Sequence, residues 1–194
     1  AEPLTHTHDD GLARRNAPQA TLVVADFETW EPESAGFDAI ASFSAFHWLD
    51  PKMRYAKIAR LLRPGGALAV VGVDHVRVPG GDPIWEEMQE DYDAVVPSSD
   101  NGPPPSVDEV GDLRAELEGS GHFHDVEVRR YPWDVVYTGD EWIDVMRTYS
   151  PNIAGDKEVI EELYRRIRAR IGVRTVTKHY LATLTVGRRL LDSA

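Results

Sequence analysis

Phe37-Asp38-Ala39-Ile40-Ala41-Ser42-Phe43-Ser44-Ala45-Phe46-His47-Trp48-Leu49-Asp50-Pro51 leads, through one helical stretch, into Leu61-Leu62-Arg63-Pro64-Gly65-Gly66-Ala67-Leu68-Ala69-Val70-Val71-Gly72-Val73. Phe37 to Phe43 is a short apolar run with one charge, the pattern of a strand buried on both faces. Asp50-Pro51 reads as a helix start: an Asp cap, then Pro where a missing N–H costs nothing. Met53, Ala56, Ile58, Ala59, Leu61 and Leu62 supply that helix with an apolar side. Pro64-Gly65-Gly66 ends it, and Ala67 to Val73 is a second buried strand. Strand, crossover helix and strand make a βαβ unit, so the two strands are predicted to be parallel.

The chain has 194 residues, a length that suits one domain. Lys and Arg number 21 against 33 Asp and Glu, a net charge of −12. Such a balance repels phosphate backbones and anionic lipid, which argues against nucleic-acid and membrane partners. The Arg165–Arg174 cluster stands at helical spacing beside Glu158, Glu161 and Glu162, and is expected to be a salt-bridged, solvated face. The chain has no cysteine. Disulfides, thiolate zinc sites and cysteine nucleophiles are thereby excluded, and a reducing cytoplasm fits. No apolar run reaches the roughly 18 residues of a membrane span.

Away from the opening stretch, Leu4 to Asn16 reads as a weak helix. His6, His8 and Asp9 within it are metal-like types in poor spacing, better read as a solvated terminus. Ala20 to Ala25 is a predicted strand followed by Asp26-Phe27. Ser44 to Trp48 then lies at the carboxyl end of the Phe37–Phe43 strand, where ligands sit in open α/β sheets. His47 is the one side chain there of a type whose reference pKa is near neutral. It is a candidate general base or orienting group, with local hydrogen bonding as the alternative. Trp48 reads as core. Asp74-His75 closes the next strand at the site edge.

Val78 to Pro105 is rich in Pro and Gly around an acidic amphipathic helix, Ile84 to Val95, with Trp85, Met88 and Tyr92 on its apolar side. It reads as a mobile insertion or lid over the site. Val107 to Gly119 is a predicted helix with Ser106 and Glu109 as a capping box. Val126 to Tyr131 is a strand. Thr138 or Asp140 caps a helix through Tyr149 that Pro151 stops. Gly155-Asp156 starts a helix from about Lys157 to Ile171, and Thr175 to Val186 is the last strand.

The segments "FDAIASFSAFHWLDP" and "ARLLRPGGALAVVG" resemble the fourth and fifth strand regions of class I, Rossmann-like, S-adenosylmethionine (SAM) dependent methyltransferases of the small-molecule type. Thr148–Asn152 and Thr175–Arg189 resemble the closing segments of the same family. The resemblance implies a mostly parallel α/β sheet with an antiparallel last strand pair and a helical insertion over the site. It divides a single domain into the end of the cofactor-binding core (1–75), an insertion (76–105), and substrate-side helices with closing strands (106–194).

The resemblance also implies SAM as cofactor. Glu2 would take the ribose hydroxyls, Asp26 the adenine amine and the Phe27 N–H a ring nitrogen; Ser42 and Phe43 would face them. For Glu2 a solvated terminus, and for Asp26 a cap on the following turn, are the alternatives. The family's Gly-x-Gly-x-Gly turn is absent, so the chain is expected to be an incomplete copy lacking its N-terminal strand. Three functions follow: a SAM-dependent methyltransferase with a small-molecule acceptor, His47 as catalytic base and no metal; a non-catalytic methyltransferase-like binding protein or inactive truncated fragment; and, third, a nicotinamide-dependent reductase. The oligomeric state stays open.

Overall fold

The computed structural model describes residues 14–96 and 102–191. Glu2, His6, His8 and Asp9 lie outside the described residues. The predicted βαβ unit is present. Strand β1 (Phe37–Phe43) is followed by helix α1 (Arg54–Leu61) and strand β2 (Leu62–Val76), and β1 and β2 pair in parallel from Ala39↔Ala67 to Phe43↔Val71. Asp50 starts the helical path as its short side chain suggests. Its carboxylate accepts the Lys52 N–H at 2.9 Å, and its carbonyl accepts the Arg54 N–H at 3.0 Å. Three residues of turn, 51–53, precede the regular helix.

The remaining elements are α2 (Ile84–Glu87), α3 (Gln89–Val95), α4 (Arg114–Gly119), β3 (Phe123–Tyr137), α5 (Gly139–Met146), α6 (Ser150–Ala154), α7 (Lys157–Ile171) and β4 (Val176–Arg189). The four strands lie in the order β1-β2-β4-β3. β4 runs antiparallel to both neighbours, from Ala67↔Arg188 to Val76↔His179 on one side and along β3 on the other. The α/β class, the parallel pair and the antiparallel closing pair therefore agree with the sequence reading.

Paired residues share a face, and alternate residues face opposite ways. One face carries Leu68 and Val70 into a core with Ile58, Ala59 and Leu62 from α1, Leu117 from α4, and Phe123 and Val126 from β3. The other face, at the start of β4, meets a second core. There Ile84 and Met88 pack with Trp142, Ile143 and Met146 of α5, with Leu163, Ile167 and Ile171 of α7, and with Val176. Helix α7 is built as its sequence demands. Asp156 accepts the N–H groups of Glu158 and Val159 at 3.0 and 3.1 Å, and Gly172, at φ 65°, ends the helix. Arg165 and Arg166 pair with Glu162, Arg168 with Asp140, and Arg170 with Glu90 and Asp91, the salt-bridged face expected.

Several expectations are corrected. β1 is not buried on both faces: it is an edge strand among the described residues, and Phe43 is 70% exposed. An apolar run reports what a strand can bury, not whether a neighbour covers it. Residues 20–25 form no strand; no ladder partner holds them, and Val23 and Val24 are exposed. Trp48, read as core, is 71% exposed.

The 107–119 helix is broken. Ser106 does donate its N–H to Glu109 at 2.7 Å, but the resulting 3-10 turn stops at Glu109, and α4 starts only at Arg114. Gly111 and Asp112 lie in the gap, both poor helix residues. Pro151 opens α6 instead of merely stopping α5, because Pro suits a first helical turn. The 78–105 insertion carries two docked helices: Ile84 and Met88 are buried, and the Trp85 indole donates to the Thr177 carbonyl at 2.7 Å. These helices pack into the second core.

Pro64-Gly65-Gly66, expected to end the helix, instead lies within β2, where the pairing with β1 slips between Phe37 and Ala39, the helix having ended at Leu61. A Cβ on Gly66 would stand 2.9 Å from the Arg63 carbonyl oxygen, 3.1 Å from that of Phe37 and 3.2 Å from that of Asp38. All three are backbone atoms and cannot step aside as a side chain would. Gly66→Ala is expected to cost about 1–3 kcal/mol, the scale of overpacking, read as a lower urea midpoint; an unchanged midpoint would show that the β1–β2 junction tolerates the methyl group.

Candidate functional site

The carboxyl end of β1 turns sharply. Ser44 adopts φ 51°, uncommon for a residue with a Cβ, and a 3-10 turn follows at Phe46–Trp48. Phe46 is buried beneath the turn, which leaves His47 outward on the rim. Two cavities meet here, and Ser44 and His47 line both.

The larger cavity, about 950 Å³, lies between the β1 end and the second core. Its walls include His75, Trp85, Met88, Tyr92, Trp142, Tyr149 and Lys178. Period-two alternation explains this set. Val176, Lys178 and Tyr180 share one face of β4, and Tyr180 is the partner of His75 on β2. The β2 ladder ends at Val76↔His179, so Lys178 lies one step beyond it. His75 accepts or donates at Nε2 to the Tyr149 hydroxyl at 3.1 Å, and its ring meets Tyr180 edge-on at 4.9 Å. Tyr137 and Tyr180 share a hydroxyl hydrogen bond at 3.0 Å.

Burial dominates the electrostatics. Lys178 Nζ stands 4.1 Å from the Trp85 ring centre and 5.7 Å from that of Trp142. Desolvation pulls its pKa down to about 8. Burial, and then the Lys178 charge, pull His75 down to about 4. Burial raises the Tyr92 hydroxyl to about 12, with Tyr164 adding to it, and raises Tyr149 and Tyr180 above their ordinary value.

The second cavity, about 420 Å³, lies on the opposite face and is lined by Arg54, Asp74, Glu116, Thr183 and Thr185 among others. Arg54 Nη2 donates to Glu116, which also accepts the Tyr55 hydroxyl at 3.0 Å. Burial raises the Tyr55 hydroxyl to about 12, and the hydrogen bond to Glu116 adds to that shift. Burial also raises the Asp74 carboxyl. Arg54 Nε and Thr183 Oγ1 are buried without a partner.

The sequence candidates are only partly gathered. His47 stands at the junction of the cavities; Asp26, Phe27, Ser42 and Phe43 line neither. Asp26 Oδ1 accepts the Glu28 N–H at 2.8 Å, so the turn-capping alternative is realised. Phe27 packs against the first core and lies 5.4 Å from Lys57 Nζ. Glu28 ties that turn to the site rim by accepting the Asp50 N–H at 2.8 Å. Sequence reasoning missed Lys178, Trp142 and Arg54. For Lys178 a signal existed: it stands in phase with Val176 and Tyr180 in a β-branched run. Among the described residues no cluster of three His, Asp or Glu could hold a metal ion, and no helix is long and apolar enough to cross a membrane.

Residues 6–70 match a family model described as a methyltransferase domain. A stretch of 60 residues is 34% identical to an uncharacterized methyltransferase of Mycobacterium tuberculosis, covering 31% of this chain and 25% of the relative; a Mycobacterium bovis protein of the same description matches equally. The match thus spans about a quarter of the length of these curated relatives. A solved structure assigned as a type II methyltransferase from Anaeromyxobacter dehalogenans superposes with a TM-score of 0.54 at 20% identity, over 90% of this chain and 74% of that one. At that identity the likeness is one of fold.

His75 supplies a test of the second core. Facing it are Tyr149, Tyr180 and Trp142, none charged at acidic pH, and Lys178, charged throughout that range. The native imidazole takes a proton only near pH 4, the unfolded one near 6.5. As pH falls through that window the unfolded state binds more protons, so stability falls, by up to about 1.4 kcal/mol per pH unit. Urea denaturation between pH 4 and 6.5 should show this slope, and His75→Gln should flatten it; equal slopes would remove His75 as the cause.

Proposed function

We propose, for a chain whose residues 6–70 match a methyltransferase domain and whose fold is Rossmann-like, SAM-dependent methyl transfer to a small-molecule acceptor in the larger cavity. The observation that carries the reading is an acceptor-sized, aromatic cavity opening beside His47 at the carboxyl end of β1, where open α/β sheets place their ligands. The proposal keeps a single domain with 1–75 as cofactor side, 76–105 as insertion and 106–194 as acceptor side, and a cytoplasmic location. Nucleic acid and membrane are not its partners in this reading.

The residues present fit the adenine end of SAM. Asp26 keeps Oδ2 free of partners within the described residues, Ser42 and Phe43 end β1, and the exposed Phe43 ring offers an apolar face. Asp26, Phe27, Ser42 and Phe43 would hold that end, with Glu2 as the expected ribose ligand. When bound, the cofactor would supply an electrophilic methyl group for direct displacement by the acceptor.

The chain's own residues orient and shield the acceptor. Trp85, Tyr92, Trp142 and Tyr149 form walls that exclude water and restrict the acceptor's approach, and alignment of this kind supplies much of the rate in a displacement. His47 would take the acceptor's proton if the nucleophile is a neutral oxygen or nitrogen group. Exposed at the rim, it can pass that proton to solvent.

Calorimetry with SAM and with NADH tests the class: SAM binding without NADH binding is expected, and the reverse would favour a reductase. With an accepted substrate, His47→Ala should lower turnover about a hundredfold, the lower range of general-base help, with SAM affinity nearly kept. Full turnover in that variant at acidic pH would end the base assignment alone.

A further inference from the structure

Lys178 is an ammonium almost wholly withdrawn from water, its residue 3% exposed. Nothing among the described residues neutralises it. No carboxylate forms an ion pair with it, and burial is the single cause that moves its pKa. It borders the larger cavity and stands over Trp85. Beside it is a second donor. Trp142 is 4% exposed, lines the same cavity, and keeps its indole Nε1–H buried without an acceptor. The ammonium and that ring are 5.7 Å apart. A desolvated ammonium with no ion pair costs free energy unless something accepts from it.

We propose that Lys178 receives a carboxylate carried on an apolar, ring-sized acceptor, with Trp142 as part of the wall beside it; the inference rests on reading the larger cavity as the acceptor site. A carboxylate only accepts, which matches an ammonium that only donates. Its charge neutralises the ammonium where screening by water is weakest. The rest of the molecule meets Trp85, Met88, Tyr92 and Tyr149, walls suited to an aromatic or aliphatic body. His75 adds no competing charge, because it is neutral at physiological pH. A cationic acceptor is excluded by the same arrangement, for the aromatic face that would attract it already carries Lys178.

The test uses the full chain and three probes matched in shape: phenylacetate, phenylacetamide and phenethylamine. Calorimetry at pH 7 should give phenylacetate at least about tenfold tighter binding than the amide, the scale of one charge-assisted hydrogen bond over a neutral one, with phenethylamine weakest. Lys178→Met should erase the preference, and Lys178→Arg should keep part of it. Above pH 8, as Lys178 loses its proton, the wild-type preference should fade.

Equal affinity for acid and amide, no binding of phenylacetate at millimolar concentration, or a preference that survives in Lys178→Met overturns the inference. Melting curves separate binding from packing. Lys178→Met should melt higher than wild type, since the unpaired charge is gone; a lower melting point with the probe preference unchanged would make Lys178 a packing residue. SAM calorimetry is read apart. SAM binding without the carboxylate preference sinks this inference and leaves methyl transfer standing; the preference without SAM binding does the opposite.

Discussion

The register of β4 against β2 is the constraint on which the site depends. The ladder runs without a slip from Ala67↔Arg188 to Val76↔His179. Because side chains alternate, it sends Lys178 and Tyr180 to the larger cavity and Thr183 and Thr185 to the smaller one. A shift of one residue would put Lys178 on the face of the first core and bring His179 to the aromatic cluster. The register is held from both sides. Leu68 and Val70 must face α1 and α4, while Val176 must face α5 and α7. Gly187 marks how tight this is: a Cβ there would lie 2.4 Å from Leu117 Cδ2. Two cores with different demands leave the strand one solution.

What could be read from the sequence follows from this. The parallel pair, the crossover helix, the start of α7 and the closing strand are local patterns: an apolar run or a cap. Such patterns survive in any tertiary context that accepts them. Residues 20–25 carry the same kind of apolar run, yet form no strand, because a strand exists only with a partner to accept its hydrogen bonds. β1 shows the complementary case: its ladder formed, but among the described residues no element covers its second face, and Phe43 is exposed. At the site, His47 was legible because it follows a strand that motif and spacing locate. For Lys178 the phase with Val176 and Tyr180 was legible but the role was not, because it depends on which face of β4 is buried, and Trp85 and Thr177, whose contact walls it in, stand 92 positions apart.

Magnitudes separate two views of Lys178. Lowering its pKa from 10.5 to about 8 corresponds to about 3 kcal/mol against the charged form. A desolvated cation over a tryptophan recovers about 2 kcal/mol, and Trp85 at 4.1 Å supplies such a contact. The aromatic cage therefore offsets much of the penalty without removing it. A residue chosen for packing alone would be apolar here, as Val176 is on the same face. Sign matters as well. Above pH 8 the native amine releases its proton while the unfolded one holds it to about 10.5, so folding gains stability with rising pH in that window. The charged state near neutrality is the one the fold tolerates least.

His75 completes the arrangement through the same charge. An imidazolium at that place would face Lys178 inside a wall of aromatic rings, and burial with this repulsion keeps it neutral. A neutral imidazole has one donor and one acceptor nitrogen. The Tyr149 hydroxyl must donate to something or lose its hydrogen bond, and burial makes the phenol harder to ionise. In the tautomer with its proton on Nδ1, Nε2 accepts the Tyr149 O–H; in the other, Nε2–H donates to the Tyr149 oxygen. In the first, Tyr149 keeps a lone pair rather than a proton toward its remaining surroundings. Trp142 lies beside His75 at 5.9 Å, and Tyr149 lies 6.4 Å from Trp142. Burial, with the Lys178 charge adding to it, thus keeps His75 neutral beside the hydroxyl that borders the cavity.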